Sequence, residues 1–140
     1  MNNINTLEIP FIPRNEAGVV CLFALNCTKF GFSIIDIQSQ FPDCKVRDSN
    51  GNIIGVEFEY KSSSFKNHLT SHRKKLKDCK YIVCWDHNFH KLDIERKFEI
   101  IAFNQFRNSL FPTRRVWISC VGKNFHEYIE KETTWSVVKS

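Results

Sequence analysis

A chain of 140 residues with 42% hydrophobic and 25% charged residues is ordinary globular material, enough for one core and too short for two comfortable ones; fibrous and disordered classes are set aside. The formal net charge of +5 favours a polyanionic partner such as nucleic acid. No apolar run approaches the ~20 residues of a bilayer span, and Met1-Asn-Asn-Ile-Asn lacks the basic and apolar regions of a signal peptide, so an intracellular, cytoplasmic protein with no membrane partner is expected.

The first element in chain order is a helix. Asn15 can cap it, Glu16 lies in its first turn where the helix dipole favours an acid, and Gly31 can end it. Val19, Val20, Leu22, Phe23, Leu25 and Phe30 cover most of its circumference, which predicts a helix sandwiched within the fold. Ser33 to Gln40 alternates apolar and polar residues as a strand does, and Phe41-Pro42 interrupts it.

Asp43 to Arg47 and Ile53 to Lys61 read as an antiparallel pair joined at Asp48-Ser-Asn-Gly-Asn52. Asp suits the first position of a type I turn, and Gly51 suits the left-handed position of a three-residue loop. If Asp48 pairs with Asn52, Asp43 lies opposite Glu57, on the face that also carries Glu59 and Lys61. A two-residue Asn50-Gly51 loop would instead turn Asp43 to the Val56, Phe58 and Tyr60 face, unless Gly55 forms a bulge. The convergence of three acids and a lysine therefore depends on one turn.

Ser62-Ser-Ser64 can cap a further helix, in which Phe65, Leu69, His72 and Leu76 share a stripe. Its remaining surface is basic: Lys66, Arg73, Lys74, Lys75 and Lys77 suit phosphate contacts, with His68 and His72 as further candidates, and they equally suit a solvated face. Tyr81 to Trp85 reads as a buried parallel strand, with the polar Asp86-His-Asn88 at the sheet's carboxyl edge. Phe98 to Phe103 and Arg115 to Val121 read as strands, and Asn124-Phe-His-Glu127 resembles a capping box opening a last helix. The six cysteines show no CxxC pair and lie mostly among apolar neighbours, which predicts buried thiols; Cys79, Cys84, His87 and His90 are a weaker candidate zinc set.

This order, with Pro42-Asp43 opening one strand and Glu59-Tyr60-Lys61 on its hairpin partner, resembles the PD-(D/E)xK nuclease superfamily, which has the restriction-endonuclease-like fold. The resemblance covers about 15–86. It implies an α/β fold with a central mixed β-sheet flanked by helices and an αβββαβ core, within a single domain over 1–140 that the 98–138 segment completes or extends. It implies that Asp43 and Glu59 bind a divalent cation, Mg2+ or Mn2+, together with the Tyr60 backbone carbonyl. Lys61 would then orient or help deprotonate the attacking water, and Glu16 would hold the metal site through water. Glu57 is an additional acid, and whether it or Glu59 is the direct ligand stays open.

The activity implied is Mg2+-dependent endonucleolytic hydrolysis of DNA, leaving 5′-phosphate and 3′-hydroxyl ends. One site per chain would call for a homodimer or larger homo-oligomer to cut both strands. Two plainer readings stand beside it. Glu57, Glu59 and Lys61 can be a wet strand face paired with Lys45 and Arg47. The chain can also be a non-catalytic nucleic-acid-binding module that uses the basic helix over 66–77.

Overall fold

The computed structural model describes residues 7–106, which lie within one unit, Met1–Arg107. The expected strand at 115–121 and the capped helix from Asn124 fall outside the described residues, as does the 108–138 part of the single domain. The described part is α/β: five strands form one mixed sheet in sequence order, with helices between them.

Helix α1 runs Glu16–Asn26, and the Asn15 side chain accepts a hydrogen bond from the Gly18 N–H, as the cap signal requires. A 3-10 turn, Cys27–Phe30, extends it to Gly31, whose φ of 80° gives the left-handed stop. The helix is not sandwiched. Val19, Leu22 and Phe23 are buried, whereas Ala17, Cys21, Ala24 and Leu25 are exposed, so the apolar residues around the rod exceed what the sheet covers.

Strands β1 (Ser33–Ile37), β2 (Cys44–Arg47) and β3 (Ile53–Lys61) form an antiparallel meander. The turn is the three-residue form: Gly51 has φ 84°, its N–H donates to Asp48 O at 3.0 Å, and the Asp48 N–H donates to Asn52 O at 2.9 Å. The Asp48 carboxylate locks the loop by accepting from the backbone N–H groups of Asn50 and Asn52. Cys44 consequently pairs with Val56 and Arg47 with Ile53, the register that sets Asp43 beside Glu57. Gly55 does adjoin an irregularity, but in its pairing with the other neighbour, β4.

Strand β4 (Cys79–Asp86) lies parallel to β3, and β5 (Glu99–Ala102) parallel to β4. The crossover from β3 to β4 is not one continuous helix. It consists of a 3-10 segment Ser62–Asn67, a single α-turn α2 (His68–Ser71) and a second 3-10 segment Arg73–Asp78. Thr70 and Ser71 spend their hydroxyls on the Asn67 carbonyl, and Arg73 and Lys77 repel four residues apart; both weaken an α-helix here. The stripe was nevertheless correctly oriented, because Phe65 is buried and Leu69 and Leu76 pack against the cluster of Phe41, Ile82, Ile94 and Phe98. A short helix, α3 (Leu92–Lys97), precedes β5 and carried no sequence signal.

Both faces of central β3 are covered. Phe58 packs on Phe23 of α1 with ring centroids 5.3 Å apart, and Phe23 also meets Phe30 and Phe32. On the other face the Ser62–Ser71 segment lies over Glu57 and Glu59, placing His68 against them. The wet-face reading of β3 fails on this point. Glu57 is 2% exposed and Glu59 5%, while Lys45 and Arg47 sit opposite Gly55 and Ile53, toward the far end of the hairpin.

Candidate functional site

The hairpin register brings the acids of two strands together. The Asp43 N–H donates to Glu57 Oε2 at 2.9 Å, and Asp43 Oδ2 accepts from the Phe58 N–H at 3.1 Å, so Asp43 is wired to β3 from both its backbone and its side chain. His68 Nε2 stands 3.1 Å from Glu57 Oε1 and 3.2 Å from Glu59 Oε1. These three ligand atoms lie within 4.8 Å of one another, close enough to share one cation. Asp43 borders this trio without joining it.

His68 was placed by sequence among the phosphate-contacting residues of a basic face, yet its ring points inward. Phe41, Phe65 and His72 hold it there, with centroids 5.5, 5.7 and 5.2 Å away, and His72 itself stacks on Phe41. Lys66, Arg73, Lys74, Lys75 and Lys77 remain exposed on the outside of the same segment.

Burial governs the electrostatics. It pushes the carboxyls of Glu57 and Glu59 up to about 8, and the neighbouring acids add to this, with Asp43 and Glu16 acting on Glu57 and Glu16, Glu57 and Asp43 on Glu59. The Asp43 carboxyl is raised by burial too, against the lowering effect of its bond from Phe58 and of His68 and His72. Burial depresses His68, as does His72 beside it, while Asp43 raises it. The His68 distances are those of an ion pair, but desolvation pushes both partners toward their neutral forms. His68 Nδ1 is buried without a hydrogen-bond partner, and Glu59 Oε1, although 3.2 Å from His68 Nε2, makes no well-aligned hydrogen bond.

Glu16 is an exposed residue at the start of α1, yet partial loss of hydration and the proximity of Asp43 raise its pKa, so it belongs to the same electrostatic cluster. Lys61 follows Glu59 on the same β3 face, is exposed at the strand's carboxyl end opposite Asp86 of β4, and makes no ion pair among the described residues. Tyr60, between the two, is half-buried and turned to the other face. The candidate zinc set divides: Cys79 and Cys84 are buried in β4 with thiols pushed upward by burial, Cys84 to about 12, while His87 and His90 meet at Glu95.

Two buried acids sharing one imidazole are a donor set that a cation could draw together, and the residues present fit a dication: carboxylate oxygens at its core, one imidazole beside them. The described residues contain no helix long and apolar enough to cross a membrane. In comparison with known proteins, the chain matches no family model, no curated protein and no solved structure.

Proposed function

We propose that the chain is a divalent-metal-dependent endonuclease acting on DNA, with the restriction-endonuclease-like core as its scaffold. The observation that carries this reading is the meeting of Asp43 with Glu57 across the β2–β3 hairpin, beside Glu59 and His68, whose ligand atoms with those of Glu57 lie within 4.8 Å of one another. The element order of helix, three-strand meander, helical crossover and parallel strand supports it as well.

Mg2+ or Mn2+ would be held by Glu57, Glu59 and Asp43, with the Tyr60 carbonyl and His68 as additional donors. When bound, such an ion neutralises phosphate oxygens and lowers the pKa of a coordinated water. The chain's own groups do the rest. Lys61 offers an ammonium at the open end of β3, where it attracts a phosphodiester and stabilises charge growing on it. Glu16 supplies negative charge at the rim, and Lys66, Arg73, Lys74, Lys75 and Lys77 supply a cationic surface for the nucleic-acid backbone. Cutting both strands of a duplex would take two copies of the chain.

The test is incubation of the full chain with supercoiled, linear and branched DNA and with RNA, in Mg2+, Mn2+ or EDTA. Metal-dependent cleavage that Asp43→Asn and Lys61→Ala abolish while DNA binding persists is the expected result. Binding without cleavage of any substrate would instead favour the non-catalytic module, for which the exposed basic segment is sufficient.

A further inference from the structure

A second set of ligand-type side chains stands apart from the acidic cluster, in the loop after β4 and in α3. His87 Nε2 lies 3.0 Å from Glu95 Oε1, and His90 Nδ1 lies 3.1 Å from the same oxygen. The two imidazoles meet edge to face with centroids 4.5 Å apart, and the three ligand atoms all lie within 4.8 Å of one another. We propose that His87, His90 and Glu95 form a binding site for a transition-metal dication of the zinc class.

The donor set chooses the ion. Two imidazole nitrogens with one carboxylate oxygen favour Zn2+, Co2+ or Ni2+ over Mg2+, which prefers an all-oxygen shell. The spacing suits it as well. Ligands about 2.0–2.1 Å from a tetrahedral zinc stand ~3.3 Å from one another, so the two nitrogen–oxygen separations need to open only slightly. Three protein ligands leave a fourth position to water.

The site is partly built before any ion arrives. The His87 side chain is 9% exposed, and its Nδ1 faces Ser62 Oγ at 2.8 Å, which leaves Nε2 as the atom turned to Glu95. Ser62 is itself fixed, because its Oγ accepts from the N–H groups of Asn88 and Phe89. The contact fixes the orientation of the His87 ring, and an ion at Nε2 would displace the ring proton from that nitrogen. His90 and Glu95 are open enough to admit an ion from solvent. An ion here would join the ends of β3 and β4, through Ser62 and His87, to α3.

The inference stands whether or not the acidic cluster cleaves DNA, and the experiment separates the two sites. Purified full-length protein stripped with EDTA is titrated calorimetrically with Zn2+, and with Co2+ while its visible absorption is followed. Four chains are compared: wild type, His90→Ala, Glu95→Gln and the Glu57→Gln/Glu59→Gln double variant. His90 and Glu95 are exposed enough that their variants should keep the fold, which circular dichroism checks. The expected result is Zn2+ binding that weakens by about 10–100-fold or more in His90→Ala and Glu95→Gln and persists in the double variant, with the Co2+ absorption following the same order. Wild-type affinity in His90→Ala and Glu95→Gln would overturn the proposal, as would loss of the Zn2+ site in the double variant or no Zn2+ binding by the wild type.

Discussion

Glu57 and Glu59 are the residues on which the proposed chemistry turns, because the protein buries two acids where one charge would already be costly. Their raised pKa values have a consequence for stability. Between the ordinary value of 4.5 and about 8 the folded state holds protons that the unfolded chain releases, so their contribution is complete below about pH 4.5 and is lost as the pH rises through about 8. The thermal midpoint of the metal-free protein should fall across that window, and the Glu57→Gln/Glu59→Gln double variant should remove most of the fall. For the proposed activity the sign is opposite: deprotonation creates the ligands, so metal-dependent cleavage should increase as the pH approaches about 8. His68 gives a separate test, since imidazole favours Mn2+ over Mg2+. His68→Asn should weaken Mn2+ binding by about tenfold or more, a loss on the scale of removing a supporting ligand contact, and Mg2+ binding by less, as read by calorimetry.

At the scale of elements, the β2–β3 hairpin is the device that assembles the site, and its register follows from local chemistry. Asp48, Gly51 and Asn52 satisfy each other within the loop, which selects the three-residue form and with it the register that brings Asp43 beside Glu57. Gly55 has a different duty. A Cβ there would come within 2.0 Å of the Asp78 carbonyl oxygen and 2.8 Å of Pro42 Cγ, so backbone from the crossover passes directly over it. Gly55→Ala should cost about 1–3 kcal/mol, the usual range for overpacking, and should lower the urea midpoint at unchanged slope. The crossover is less legible in the sequence. Its apolar stripe was legible, because period and burial agree, but its break into 3-10 and α pieces depends on hydroxyls and like charges whose competition periodicity does not register.

Across the whole described unit, α1 closes one face of β3 and the crossover closes the other, so the candidate site is roofed by helical segments rather than open on a wet sheet. Phe23 is the pin on the α1 side: fully buried, it meets Phe30, Phe32 and Phe58. Phe23→Ala should cost about 3–5 kcal/mol, as large aromatic deletions in cores do, measurable by equilibrium denaturation.

The sequence by itself determined the strands of the meander, the capped first helix and the parallel run at β4, because each is written in neighbouring residues: alternation, a cap, an apolar run; it narrowed the β2–β3 register to two loop forms, between which the structure chose. Only the tertiary structure decided that Glu57 and Glu59 are buried, that His68 faces them, and that His87 and His90 join Glu95 rather than the cysteines of β4. Those outcomes depend on which segment lies over a face and on which of the two acids of a six-residue helix, Asp93 or Glu95, is turned back to the loop. These partners are near one another in the chain but sit on different elements, and the alternation or period within one element does not encode how the next folds back on it.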